Sequence, residues 1–331
     1  MSSLAVPARP SAVRAAFRRG PQRRRARSGA ARPLPRDGGV DPSSLGELLD
    51  ESIVLDPRRR VRPGRRLVRA RACLRLVLAA AWTAVVAPVP LVVLVASFGN
   101  RRAVAFTGPL AIRVWSAGLC RILGIRVARH GDPPARGVAT FVTPNHLGYV
   151  DLLVLGSIYG GHFVSRADVA TWPVIGPLAR CVGTLFIRRE VRRDVGVVGG
   201  EIGIHLGMRR PVTAFLEGRS GRGDDVLPFR TSLLEPAVAA GLPCIPVAVE
   251  YAMPGDPHLD SGDVVAWTGD QPFGSHVWRL LHVRRVDVVV RFLPARRGAC
   301  RKQLGRLLED DVRAALFGES PGVALLQPLR A

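Results

Sequence analysis

Short apolar runs bounded by glycine, proline and polar clusters recur through the second half of the chain. They predict strands near residues 137–142, 181–187, 211–216, 243–251 and 286–293. Between them, residues near 151–158, 194–208 and 232–240 carry helix-compatible patterns. Residues 301–317 read as a terminal helix with its charged residues on one face, covering the sheet. Alternation of this kind argues an α/β fold, a sheet flanked by helices. The run from Gly241 to Val249 contains Pro243 and Pro246. Proline cannot donate to a ladder, so this strand is expected at a sheet edge, or with its prolines at the strand start.

The first hundred residues follow a different pattern. Leu76 to Asn100 contains no charged residue, long enough at about 1.5 Å per residue to cross a bilayer as a helix. Pro88 and Pro90 stand in its middle and predict a kink or two half-helices. Arginines flank it from Arg58 to Arg75 and at Arg101 and Arg102. A simple span with the N-terminus inside would put the α/β region outside. A re-entrant or interfacial hairpin with both ends in the cytoplasm is the cheaper arrangement, and leaves that region on the cytoplasmic face of the inner membrane. Residues 113–123 read as an amphipathic connector.

Charge sharpens this division. Residues 1–75 hold 19 arginines against six acidic residues, which is +13 of the net +22. The expected organisation is a basic, disordered tail at 1–67, a membrane-associating helical segment at 68–105 and an α/β domain at 106–320. Such a tail beside an apolar segment suits an anionic lipid surface. Its single aromatic, Phe17, and the absence of a recognisable module argue against nucleic-acid binding. The five cysteines are dispersed and lack C-x-x-C spacing, which suggests neither a zinc site nor a disulfide framework. No metal is expected.

Candidate chemistry concentrates in Thr143-Pro144-Asn145-His146-Leu147-Gly148-Tyr149-Val150-Asp151. A histidine in the loop leaving a strand, with a carboxylate in the first turn of the next helix, lets the carboxylate fold back onto the imidazole. The ring then holds one tautomer and can take a proton from an alcohol. The same interval separates His258 from Asp263 and His282 from Asp287. The first of those pairs falls in a loop-like cluster and the second at the start of a strand, so neither has the strand-loop-helix frame. Downstream, two segments deliver charge at strand ends: Cys181 to Arg189, and Pro211 to Gly218 with Glu217. Arg188 reads as a solvated residue. Gly218-Arg219-Ser220-Gly221-Arg222-Gly223 is neither a P-loop, which needs a following Lys-Ser or Lys-Thr, nor a nucleophile elbow, since position 222 is arginine.

Four ordered blocks resemble the glycerolipid acyltransferases typified by 1-acylglycerol-3-phosphate O-acyltransferase. They are Asn145-His146 with Asp151; Gly183 to Arg189; Phe215-Leu216-Glu217-Gly218 through Leu227-Pro228-Phe229-Arg230; and Pro243-Cys244-Ile245-Pro246-Val247. The resemblance covers roughly residues 110 to 295. It implies an acyltransferase-like sheet, His146 as general base and Asp151 as its orienting partner. Asn145, Arg189, Glu217, Gly218 and Arg219 would serve the acceptor. The implied reaction is direct attack of a lysolipid hydroxyl, foremost that of 1-acyl-sn-glycerol-3-phosphate, on acyl-CoA or acyl carrier protein, with no further cofactor. The third block departs from the family pattern. Leu216 stands where proline is usual, Arg219 in place of threonine, and Ser220 where arginine often follows. Arg219 or Arg222 could replace that cation, and lyso-ornithine lipid acyltransferases resemble this chain as well. From a different class, a noncatalytic membrane- or nucleic-acid-binding protein driven by the tail is the remaining alternative.

Overall fold

The structure is a computed structural model that describes residues 65–98, 100–173, 175–188, 191–254, 259–268 and 271–318. The disordered tail expected at 1–67 lies almost wholly outside the described residues. The chain divides into two units, residues 1–71 and 72–331. In the first, only the opening turns of a helix are described; the sheet and its flanking helices belong to the second.

The apolar segment forms α1 (Arg65–Val86) and α2 (Pro88–Ala96). The break falls where the prolines predict it. Pro88 sits in the first turn of α2, where a missing N–H costs nothing, and the Ala87 N–H closes α1 on the Thr83 carbonyl at 2.8 Å. Val77, Val85, Val92 and Val95 are exposed on these helices. The stretch Arg66–Val93 is long and apolar enough to cross a membrane. It leads into α3 (Arg101–Leu123), which buries Ile112, Ser116 and Leu119. That face meets α4 (Tyr149–Tyr159) closely, because a Cβ at Gly156 would lie 2.6 Å from the Ser116 hydroxyl.

Seven strands make one sheet: β1 (Ile125–His130), β2 (Thr140–Pro144), β3 (His162–Arg166), β4 (Leu185–Ile187), β5 (Pro211–Thr213), β6 (Cys244–Ala252) and β7 (Val286–Phe292). Their spatial order is β1-β7-β6-β2-β5-β3-β4. The β6/β7 pair is antiparallel and every other neighbouring pair is parallel. Alternate residues of each strand feed two apolar layers. Val142, Val247 and Val249 pack with α3, α4 and α9 (Phe273–His282). Phe141, Val212 and Ala248 pack with α6 (Arg192–Gly207), α7 (Glu235–Ala239) and α10 (Arg301–Phe317). Short helices α5 (Ile175–Cys181) and α8 (Ser261–Val264) complete the described set.

Several expectations are corrected. The proline-bearing strand β6 lies inside the sheet, between β7 and β2, so of the two placements expected for it the strand start holds: Pro243 precedes Cys244 and Pro246 is the third residue. Pro246 is tolerated because its backbone faces the β7 side at an irregularity. There the Cys244–Arg296 bridge ends, the regular ladder begins only at Val247 opposite Phe292, and the Pro246 carbonyl still accepts from Leu293 at 3.0 Å. Cys181 ends α5 and the strand expected at 181–187 is only Leu185–Ile187, after a turn through Gly183 at φ +77. Edge strand β1 escapes the apolar-run criterion because only Ile125 of its six residues is buried. His282 ends a helix instead of opening a strand, its Nδ1 2.8 Å from the Trp278 carbonyl. His258 lies outside the described residues, and Asp263 pairs with Arg222 at 2.8 Å.

Candidate active site

β2 ends at Pro144, and the chain turns through Asn145, His146, Leu147 and Gly148 into α4. The loop therefore sits beyond the carboxyl end of an interior strand, where open α/β sheets place their functional crevices. Asn145 does not face that crevice. Its amide donates to the Val249 carbonyl at 3.0 Å and accepts from the Val249 N–H at 2.7 Å, continuing the β2/β6 ladder by one side chain. In this way Asn145 fixes where the His146 loop leaves the sheet. Asn145→Ala is expected to cost about 1–3 kcal/mol in denaturant unfolding, because two buried backbone groups lose their partner. An unchanged unfolding midpoint would contradict this.

His146 Nδ1 lies 2.8 Å from Asp151 Oδ2. The same oxygen accepts the Leu147 N–H at 2.7 Å and the Gly148 N–H at 2.9 Å. Asp151 is fully buried in the first turn of α4, where the helix dipole favours an anion. Its second oxygen accepts from the Tyr251 hydroxyl at 2.5 Å. Donation of the Nδ1 proton to this carboxylate leaves Nε2 as the basic nitrogen. The imidazole stacks on Phe215 at a 4.0 Å centroid distance and 24°, which fixes its plane. Its side chain is 17% exposed, enough to meet a reactant.

Tyr251 joins the site from a distant strand and carries no motif in the sequence. The available signal was a tyrosine within the apolar run of β6, since a buried phenol needs a partner for its hydroxyl. Burial together with the Asp151 charge pushes the Tyr251 hydroxyl well above its ordinary pKa, so it stays a donor.

Glu217 joins the first block to the third. Its carboxyl accepts the His146 N–H at 2.8 Å and the Leu227 N–H at 3.3 Å, and is 4% exposed. Burial pushes its pKa up to about 8, against the lowering effect of those two backbone donors. Glu217 thus ties the His146 backbone to the third block. The Gly221 N–H returns to the His146 carbonyl at 2.8 Å, closing the connection.

The cations around this loop sort clearly. Arg222 is tied to Asp263, and Arg188, read from sequence as merely solvated, is tied to Asp194 at 2.5 Å. Arg189 lies outside the described residues. Arg219 is exposed. Arg230, also exposed, lies over Gly218, where a Cβ would come within 2.9 Å of its Cδ and where φ is +77. Ser220, at the position where the family often has a cation, donates instead to the Trp267 carbonyl at 2.6 Å.

An aromatic wall adjoins the loop on its other side. Tyr149 meets Phe273 at 5.0 Å, and Trp172 meets Phe273 and Trp267 at 4.9 and 5.7 Å. The Trp267 N–H holds the Leu147 carbonyl at 2.8 Å. Tyr149 lies 3.0 Å from His276 Nδ1, whose pKa is lowered by burial to about 4. The neutral ring gives its Nε2 proton to the Ala266 carbonyl and accepts the Tyr149 hydroxyl.

An interior-strand loop carrying a carboxylate-oriented imidazole, beside an aromatic wall and cationic side chains, has the makings of an enzyme site. A family model described as acyltransferase matches residues 126–250. The lyso-ornithine lipid O-acyltransferase of Rhizobium meliloti (strain 1021) is 32% identical over 217 residues, 62% of this chain and 74% of that protein. Its counterpart in Pseudomonas aeruginosa is 33% identical over 208 residues, 62% of this chain and 78% of that protein. The 1-acyl-sn-glycerol-3-phosphate acyltransferase of Neisseria gonorrhoeae is 26% identical over 203 residues, 60% and 76% of the two chains. The crystal structure of the 1-acyl-sn-glycerophosphate acyltransferase PlsC from Thermotoga maritima has the same fold. It superposes with a TM-score of 0.53 at 18% identity, covering 74% of this chain and 96% of that one. The chain belongs to the acyltransferase family.

Proposed function

We propose that the enzyme transfers a fatty acyl group from a thioester, acyl-CoA or acyl carrier protein, to the free hydroxyl of a lysolipid. The observation that carries this reading is the 2.8 Å contact between His146 Nδ1 and Asp151. The acceptor hydroxyl gives its proton to Nε2 as its oxygen attacks the thioester carbonyl. The tetrahedral intermediate expels the thiolate, which takes the proton back from the imidazolium. Asp151 holds the ring and offsets its transient charge. This sequence needs no cofactor and no acyl-enzyme.

For the acceptor, the third block favours lyso-ornithine lipid over 1-acyl-sn-glycerol-3-phosphate. Ser220 replaces a cation, and Asp224 is exposed one residue beyond Gly223, which abuts Leu147. A carboxylate there suits an ammonium group, while Arg219 and Arg230 suit an acidic oxygen. The test supplies labelled acyl-CoA with each acceptor in turn, and then the carrier-protein thioester. At least tenfold higher kcat/KM with lyso-ornithine lipid is expected, about 1.4 kcal/mol of discrimination. Preference for the phosphate acceptor would overturn this assignment, and no product from either would overturn the proposed reaction.

The reaction is placed at the cytoplasmic face of the inner membrane, with α1 and α2 as the attachment. Support comes from their apolar, exposed surface and from the water-soluble donor. Cysteine labelling at positions 60 and 105 should report the same side; opposite sides would refute the hairpin.

A further inference from the structure

We infer that α3 carries a binding site for an anionic phospholipid, separate from the His146 centre, with the phosphate held by Arg113 and Arg121 and an acyl chain lying in the groove between them and α1. The groove is open to the surface and offers about 590 Å³. Leu110, Val114, Ala117 and Gly118 line it from α3, and Trp82 from α1. The positions 110, 113, 114, 117, 118 and 121 follow helical spacing, so a single stripe of α3 supplies that side of the groove. Arg113 and Arg121 lie two turns apart on that stripe, about 12 Å along the axis, within reach of one phosphate for two long side chains.

The site is built rather than incidental. A Cβ at Gly118 would sit 2.1 Å from Trp82 Nε1, so only glycine lets the indole lie against α3. Trp82 Nε1 donates to the Trp115 carbonyl at 3.1 Å, and Trp115 Nε1 donates to the Thr83 hydroxyl at 3.0 Å. Two reciprocal indole bonds therefore hold the groove open in a fixed shape. It is distinct from the catalytic loop, because the opposite face of α3, through Ser116, is the one packed on α4.

Charge complementarity identifies the occupant. α3 contains no acidic residue, and Arg113 and Arg121 have no ion pair or hydrogen bond to a side chain among the described residues. Arg188, Arg222, Arg296 and Arg313 are each matched by a carboxylate. Two guanidiniums over an apolar floor suit a phosphodiester joined to a hydrocarbon chain, and free phosphate would leave that floor exposed. Leu110 is 55% exposed and Val114 43%, and the neighbouring α1 stretch is of membrane length. A lipid of a bilayer leaflet can enter from that side.

The test reconstitutes the full chain in phosphatidylcholine vesicles containing a trace of phosphatidylglycerol with a diazirine in its acyl chain. After irradiation the label is mapped by peptide mass spectrometry. Label should fall on residues 110–122 and be displaced by unlabelled phosphatidylglycerol, but not by phosphatidylcholine or inorganic phosphate. R113Q/R121Q should reduce it roughly 25-fold, roughly fivefold per guanidinium, and R121Q alone roughly fivefold. R126Q/R129Q removes the same charge from exposed positions of β1 and should leave it unchanged. Equal labelling with a phosphatidylcholine probe, displacement by phosphate alone, or equal loss in both double variants would overturn the site. The readout needs no turnover, so it stands or falls apart from the proposed reaction.

Discussion

Asp151→Asn is expected to lower kcat by about 10²–10⁴ while leaving the protein folded and the acceptor KM nearly unchanged. Asparagine is nearly isosteric, and its oxygen can still accept from His146 Nδ1 and from the Leu147 and Gly148 N–H groups, all of which converge on Oδ2. The amide nitrogen then faces the Tyr251 hydroxyl, which can rotate to accept from it. Geometry is thus largely preserved and the negative charge alone is lost. That charge matters when His146 has taken the acceptor proton and become an imidazolium. A variant with wild-type kcat would reduce Asp151 to a helix-capping residue. Tyr251→Phe is the milder companion, removing one donor from the carboxylate without touching its charge.

Glu217→Leu is expected to lower kcat/KM on the order of 10²-fold by displacing the His146 backbone. The two N–H groups that Glu217 accepts, from His146 and Leu227, would lose their partner, at about 1–3 kcal/mol for each one left buried. Glu217→Gln keeps one acceptor and isolates a pH effect. The folded pKa of about 8 lies above the ordinary carboxyl value of 4.5. Through that window the folded state retains a proton the unfolded chain has lost. The contribution is therefore present in full below pH 4.5 and declines as pH rises toward 8, by about 1.4 kcal/mol per unit. His276 works in the opposite sense, since its pKa falls from 6.5 to about 4 and stability gains as pH rises between those values. The difference between wild type and Glu217→Gln cancels the histidine. Parallel stability curves from pH 5 to 8 would show that Glu217 is ionised in the folded protein.

The His146–Asp151 pair was legible because strand, loop and first helical turn are contiguous, and local geometry alone brings the two side chains together. Tyr251 was not, because it lies 100 residues from Asp151 and reaches it only if β6 neighbours β2. Pro243 and Pro246 left an edge position open beside the strand start, since the sequence does not reveal the irregularity opposite Pro246. Asn145 and Glu217 were recognisable as members of the site, but their direction was not. Whether a polar side chain at a strand end completes the ladder or faces the cleft depends on the parity of that ladder, which the partner strand sets. Strand β3 was missed because His162-Phe163-Val164-Ser165-Arg166 has too few apolar residues for its alternation to register, although it is buried through Val164 by its neighbours.

Acyl transfer from a labelled thioester to lysolipid, compared between wild type and His146→Ala in detergent micelles, tests the central claim most directly. His146 supplies the base, so the alanine variant should remain folded yet lose about 10²–10⁴-fold in kcat. A folded alanine variant that transfers acyl groups within a few-fold of the wild-type rate would contradict it.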